Sequence, residues 1–247
     1  MSNLHRIATS PTQYDNVGTD WLDEGGRDTP WRVFFTKVLS AALGDLAGKS
    51  VLDVGCGTGW LSDLVRRLGA GSYLGLEPSR RNYHEAVARY ADARFVNVAF
   101  ETFSTARRFD VICCVMSTEH MTSLDLSLAK FREHLNLDGR VVIISGDPDA
   151  YVTDRFGYAI NIEPISNDEV VVQTLRPVGV DTVDIIRAPS LFVSTAARHG
   201  LEAHLVQPLE ATDELIAMAP QYECFRRRAM FQLMIFGHSG ELCQASA

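Results

Sequence analysis

From residue 50 onward, short apolar runs alternate with longer stretches whose apolar residues recur every three or four positions. The first pattern suits a buried strand and the second one face of a helix. Ser50–Val54, Ser72–Leu76, Phe95–Val98, Asp110–Met116 and Arg140–Ser145 read as strands. Trp60–Leu68, Ser79–Tyr90 and Leu124–Leu135 read as helices, the last closed by Asp138-Gly139. This alternation predicts a doubly wound, mostly parallel α/β sheet with helices on both faces. Upstream, Thr29-Pro30 marks a helix start. Trp31, Phe34, Phe35, Val38, Ala42, Leu43 and Leu46 then follow at helical spacing to about Gly48. The pattern changes after Gly146. Residues 147–189 are rich in Asp, Asn and Pro, and Val170–Thr174 and Val183–Ile186 suit a hairpin, which suggests an insertion over the sheet's edge. A helix (Ser190–Arg198), a strand (Glu202–Val206), a helix (Glu214–Ala219) and a buried strand (Met230–Gly237) complete the chain. One domain accounts for all 247 residues: an N-terminal arm and helix (1–49), a ligand-binding half (50–146), the insertion (147–189) and a sheet edge (190–247).

Composition narrows the partners. Twenty-three basic against 31 acidic residues give a net charge of -8, which repels phosphate backbones and disfavours nucleic acid. The short run Arg226–Arg228 reads as a solvated face. No apolar run nears the roughly 20 residues of a membrane span, and the first 30 residues do not resemble a signal peptide. The five cysteines are scattered, and Cys113 and Cys114 would point to opposite faces of a strand. They read as core thiols in a reducing cytoplasm, not as disulfides or a zinc site.

The chemistry concentrates in Val51–Gly59, Val-Leu-Asp-Val-Gly-Cys-Gly-Thr-Gly. Glycine is needed where the backbone turns tightly and a ligand approaches closely. At the carboxyl end of a parallel strand such a loop faces the ligand site. Glu77, after the next strand, can accept two hydrogen bonds from a ribose diol. Dinucleotide enzymes share this logic, but their loop runs Gly-x-Gly-x-x-Gly toward a pyrophosphate. Here the third glycine comes one residue earlier, Trp60 follows, and Asp53 precedes the loop, which suits a cationic ligand better and disfavours an oxidoreductase.

Asp53–Gly59 with Glu77 resemble the cofactor motifs of class I S-adenosylmethionine-dependent methyltransferases. Cys114–Met121, with its Glu119-His120 pair, is similar to the segment after strand four in ubiquinone-biosynthesis-type members. The resemblance implies strand order 3-2-1-4-5-7-6, with the last strand antiparallel. It also implies S-adenosyl-L-methionine as cofactor and methyl transfer to oxygen, nitrogen or carbon of a small molecule. Asp53 and the backbone around Gly55, Cys56, Gly57 and Gly59 would then hold the methionine part and Glu77 the ribose. Pro78, Phe100 and Glu101 would line the adenine, and Met116 and Ser117 would border the cofactor at the end of strand four. Ala99 departs from the family, many of whose members carry Asp there for the adenine amino group. Relatives often fold an N-terminal segment over the cofactor. Tyr14 and Trp21 therefore suit either a lid, with Tyr14 at the cofactor, or a loose tail.

His120 is the candidate catalytic base, because imidazole titrates near neutrality and can take a proton from a hydroxyl as the methyl arrives. Glu119, His120, Asp147 and Asp149 could hold a divalent ion, but metal-dependent relatives carry a denser carboxylate set, and no metal is expected. Tyr151, Phe156, Tyr158, Ile160 and Ile162 suggest a pocket for a mid-sized, partly apolar compound. Two other classes remain open: an enzyme of this fold catalysing a non-methylating reaction such as a cyclisation, and a non-catalytic cofactor-binding module.

Overall fold

The computed structural model describes residues 2–10, 13–16, 29–151, 158–175 and 181–240. Helix α1 (Asn3–Ala8) starts at Ser2, whose hydroxyl accepts from His5 N–H, and a single turn, α2 (Gln13–Asn16), follows. Helix α3 (Pro30–Leu43) opens as its sequence indicates. The Thr29 hydroxyl accepts from Arg32 N–H at 3.2 Å, and Pro30 fills the first turn, where its missing N–H goes unused. The helix stops at Gly44, at φ +57°, rather than near Gly48. Leu46 is fully buried all the same, so its helical spacing reflects a shared core and not a shared helix.

The elements β1 (Ser50–Val54), α4 (Leu61–Arg67), β2 (Ser72–Leu76), α5 (Arg80–Arg89), β3 (Arg94–Val96), β4 (Phe109–Val115) and α6 (Leu124–His134) follow close to their expected bounds. Strand β5 (Leu135–Gly146) begins directly after α6. Phe109 pairs with Leu135 and Val111 with Arg140, so Asn136–Gly139 bulge from the ladder. The Asp138-Gly139 turn therefore lies inside an irregular strand instead of closing a helix.

A turn of helix, α7 (Pro148–Tyr151), precedes β6 (Ala159–Pro164), β7 (Glu169–Leu175) and β8 (Thr182–Arg187), which form a separate antiparallel sheet. The expected hairpin is β7–β8, with Val170 opposite Ile186 and Val172 opposite Asp184. Strand β6 was not expected. It is an exposed edge strand, so no buried face imprints alternation on its sequence. This small sheet does not lie against an edge of the main one. Strand β8 packs on the loop after β4 and on β5, while α1 lies across β7 and β8, burying Ala8 among Val171, Val183 and Ile185. The first residues are thus helical and docked rather than loose.

Helix α8 (Pro189–Arg198), β9 (Leu201–Leu209), α9 (Asp213–Met218) and β10 (Phe231–His238) complete the main sheet, whose order is β3-β2-β1-β4-β5-β10-β9. Only β10 is antiparallel to its neighbours, as expected. Adjacent Cys113 and Cys114 do face opposite ways. Cys113 packs with Leu39 and Leu64 under α3 and α4, and Cys114 with Leu128 and Phe192 under α6 and α8. Each fully buried Leu or Phe in these layers contributes about 1.5–3 kcal/mol. Among the described residues no helix is long and apolar enough to cross a membrane.

Candidate active site

The glycine loop leaves the end of β1 with Gly55, Gly57 and Gly59 at φ +70°, +56° and +84°. Side chains are strained there, but the glycines also differ in what surrounds them. A Cβ on Gly55 would stand 2.4 Å from the Ser117 Cβ, whereas one on Gly57 would meet no atom within 4 Å. Gly57 therefore faces open space. Its N–H donates to Glu77 Oε2 at 2.8 Å, and Ser79 N–H donates to Oε1 at 2.9 Å. These bonds hold the Glu77 carboxylate at the loop. Burial pushes its pKa up to about 7, with the two backbone bonds opposing. The Asn97 amide donates to the carbonyls of Glu77 and Pro78 at 2.8 and 3.0 Å, fixing the turn.

The loop after β4 supplies the opposite rim. Met116 takes φ +52°, a backbone strain of order 1–3 kcal/mol that the surrounding structure must offset. Its N–H donates to Ile144 O, and the Ser117 hydroxyl donates to Val54 O at 2.6 Å, which ties this loop to the end of β1. In the 3₁₀ turn Thr118–His120 the expected pair divides. Glu119 points into the core, where Oε1 accepts from Gly146 N–H at 2.8 Å and burial raises its pKa. His120 instead lines the cavity.

His120 is held on both nitrogens. Nδ1 lies 3.1 Å from Ala8 O, which can only accept, and 3.4 Å from the Gln13 amide nitrogen; the shorter contact, to the carbonyl, assigns the proton to Nδ1. Nε2 then accepts from the Tyr14 hydroxyl at 2.9 Å, with the two rings edge to face. Burial keeps the imidazole below its usual range, opposed by the charge of Glu119. Burial, reinforced by Asp184 and Glu119, keeps the Tyr14 phenol well above its usual value. Asp184 Oδ1 stands 3.6 Å from Nε2. Tyr14 is seated by its neighbours. Gln13 exchanges two hydrogen bonds with the Val183 backbone, at 3.1 and 2.8 Å, and Asp15 accepts from the Ser79 hydroxyl and Arg81 N–H at 2.7 and 3.2 Å. Three consecutive residues thus bind three different walls.

A cavity of about 570 Å³ lies between these rims, within the range of small-molecule sites. Gly55–Thr58, Glu77, Pro78 and Ala99–Thr102 form one side. The other is aromatic: Trp31 meets Tyr222 and Phe231 edge-on, with ring centres 4.6 and 5.1 Å apart, and Tyr151 and Tyr158 complete it. Among the described residues no group of three His, Cys, Asp or Glu could hold a metal ion. Asp147 instead accepts from the Gln232 amide and Asp149 N–H.

A family model described as a methyltransferase domain matches residues 4–167. The chain belongs to that methyltransferase family. A ubiquinone biosynthesis O-methyltransferase of Azorhizobium caulinodans is 28% identical over 151 residues, 53% of this chain and 59% of the relative. The chain therefore spans about three-fifths of that relative's length. A solved S-adenosylmethionine-dependent methyltransferase of Listeria monocytogenes overlays with TM-score 0.66 at 21% identity, covering 82% of this chain and 97% of that one. A glycopeptide N-methyltransferase solved with S-adenosylmethionine gives TM-score 0.62 at 17% identity, covering 83% and 93%. The fold is that of the S-adenosylmethionine-dependent methyltransferases.

Most residues expected at the site meet in the one cavity. Tyr14, Gly55, Cys56, Gly57, Glu77, Pro78, Phe100, Glu101, Met116, Ser117 and His120 all line it. Two expected cofactor residues do not. Asp53 is buried behind the loop, accepting the Tyr73 hydroxyl at 2.6 Å, and burial pushes its pKa up to about 7. A Cβ on Gly59 would meet the Phe95 ring at 2.8 Å, so this glycine serves helix–strand packing. Phe100 is nearly buried and stacks on Phe131, leaving little of its ring to the cavity. In the insertion Tyr151 and Tyr158 line the cavity, whereas Ile160 packs on the core and Ile162 is exposed. Phe156 and Trp21 lie outside the described residues. Sequence reasoning missed Gln13, Asp15, Asn97, Asp184 and Tyr222, polar or isolated residues with no periodic signal of their own.

Proposed function

We propose that the chain transfers a methyl group from S-adenosylmethionine to a hydroxyl of a partly apolar small molecule, in the cytoplasm. The observation carrying this reading is that the Glu77 carboxylate and the open face of Gly57 share one cavity with His120 and the aromatic wall. The residues fit the cofactor. Glu77 would take the ribose hydroxyls, the backbone at Gly55 and Gly57 the amino-acid part, and Pro78 the adenine. When bound, the cofactor supplies a sulfonium methyl with a neutral thioether as leaving group. The chain's residues then mainly position and desolvate, effects that can supply roughly 7–11 kcal/mol. The aromatic wall would hold the acceptor, and the neutral His120 imidazole would be the final proton acceptor. The name of the Azorhizobium relative supports oxygen as the acceptor atom. The net charge of -8 supports a small molecule over nucleic acid, and the buried thiols of Cys56, Cys113 and Cys114 suit a reducing compartment.

Calorimetry with S-adenosylhomocysteine, S-adenosylmethionine and NAD tests the site, and transfer of tritium from labelled S-adenosylmethionine to a metabolite extract tests the reaction. The first two ligands should bind and NAD should not. Label should leave the cofactor with equal formation of S-adenosylhomocysteine. Binding without that product would leave a cofactor-binding module and overturn the methyl-transfer reading.

A further inference from the structure

The nitrogen that makes His120 a candidate base is already occupied. Nδ1 donates to Ala8 O, so Nε2 is the only basic atom, and the Tyr14 hydroxyl donates to it at 2.9 Å. An acceptor entering the cavity therefore meets Tyr14 Oη before it can meet the imidazole. Tyr14 itself lines the cavity.

We propose that Tyr14 is a catalytic residue, the group that takes the proton of the methyl acceptor while its own passes to His120. The proposal rests on the methyl-transfer reading of this site. The acceptor O–H bond breaks as a new bond to Tyr14 Oη forms. The original Tyr14 O–H bond breaks as the Nε2–H bond of His120 forms. The electron pair left on the acceptor oxygen becomes its bond to the methyl group, and His120 later releases its proton to water. Tyr14 is never a free phenolate in this shift, which agrees with a phenol that holds its proton firmly.

Burial disfavours a charged imidazole, and two nearby carboxylates offset part of that cost. Asp184 Oδ1 stands 3.6 Å from Nε2, an ion-pair distance for the protonated ring, while the new N–H stays directed to Tyr14 Oη. Glu119 adjoins from the same turn, buried and favouring the charged ring. Arg187 is the opposing cation, but its guanidinium is directed to Thr118 O, Met121 O and Glu169, behind the loop. The relay also assigns work to the arm. Gln13 and Asp15 are positioning residues that fix Tyr14 from both sides, so the proton path exists only when α2 is docked.

Tyr14→Phe keeps the ring and removes only the hydroxyl. With tritiated S-adenosylmethionine and a fixed pool of phenols and alcohols, label transfer should fall roughly 10²–10⁴-fold. S-adenosylhomocysteine affinity should stay within about twofold. His120→Gln should fall by a similar factor, and the double variant no further than either alone, because the two residues act as one unit. Nitrogen-15 NMR of the imidazole supplies a readout that needs no acceptor. Wild-type protein should show the Nδ1–H tautomer, and Tyr14→Phe should raise the titration midpoint of His120 by removing a bond that favours its neutral form. Tyr14→Phe that keeps more than a third of the transfer rate, losses that multiply in the double variant, or an unmoved midpoint would each overturn the relay. If wild-type protein transfers no label, the methyl-transfer reading itself fails, while the NMR result still decides whether the pair exists.

Discussion

Raising the pH from 6 to 8 should tighten S-adenosylhomocysteine binding about tenfold, with Glu77 as the cause. Its carboxyl is buried, accepts two backbone N–H bonds and has its pKa pushed up to about 7. Ribose hydroxyls donate to a carboxylate, so the charged form is the competent one, and apparent affinity scales with its population. A midpoint near 7 makes that population about 90% at pH 8 and about 10% at pH 6, a difference of roughly 1.4 kcal/mol. Stability moves the other way. A carboxyl raised from 4.5 to about 7 binds more protons folded than unfolded in that window. The empty protein therefore loses up to roughly 3 kcal/mol from this group as the pH rises through it, and none below pH 4. Asp53, raised from 3.8 to about 7, acts in the same direction. Calorimetry at pH 6, 7 and 8 in two buffers of different protonation enthalpy would give both the affinity and the protons released. Glu77→Gln should flatten the slope and abolish the release, while Asp53→Asn should keep both. Wild-type affinity unchanged between pH 6 and 8, or an equal slope in Glu77→Gln, would refute the assignment.

Gly55→Ala meets Ser117 at 2.4 Å as well as a positive φ, and should cost about 2–5 kcal/mol in urea unfolding. Gly57→Ala, with space around it, should cost only about 1–2 kcal/mol. Asp15→Ala should increase amide exchange in residues 13–16, because α2 then loses its hold on Ser79 and Arg81; unchanged exchange would show that α2 docks without it. Thr29→Ala removes the cap of α3 and should cost about 1 kcal/mol by thermal melting, with cofactor affinity unaltered.

The main sheet was legible because burial writes itself into the chain. Val51, Leu52 and Val54 and the run Ile112–Cys114 place buried apolar residues on both faces, and α3 carries its buried stripe through Phe34, Phe35, Leu39 and Leu43. The glycine loop was legible because left-handed backbone at three alternate positions leaves a mark in residue type. What it did not reveal was which glycine faced the open cavity and which faced Phe95, since a positive φ is common to both. Asp53 was expected at the ligand for a related reason. A carboxylate before such a loop can face either the ligand or a strand neighbour, and Tyr73, twenty residues away, turned out to hold it. The arm and the exposed β6 were illegible, because their order comes from two small apolar contacts of α1, a few polar bonds of α2 and an edge pairing. Hydrophobic periodicity carries no record of either.

Gly55 and Ser117 interlock, with a hydroxyl tied to Val54 O and no room for even a methyl group between the two loops. The halves of the pocket that would serve cofactor and acceptor are thus a single mechanical piece. Substitutions at Met116–His120 intended to admit new acceptors will displace the glycine loop and disturb cofactor binding with it. Thr174, Thr182 and Tyr158, in the inserted sheet, line the same cavity from the far side. Variation of acceptor range, whether by evolution or in the laboratory, should therefore accumulate in the insertion, where one end of the pocket can be rebuilt while the other stays unchanged.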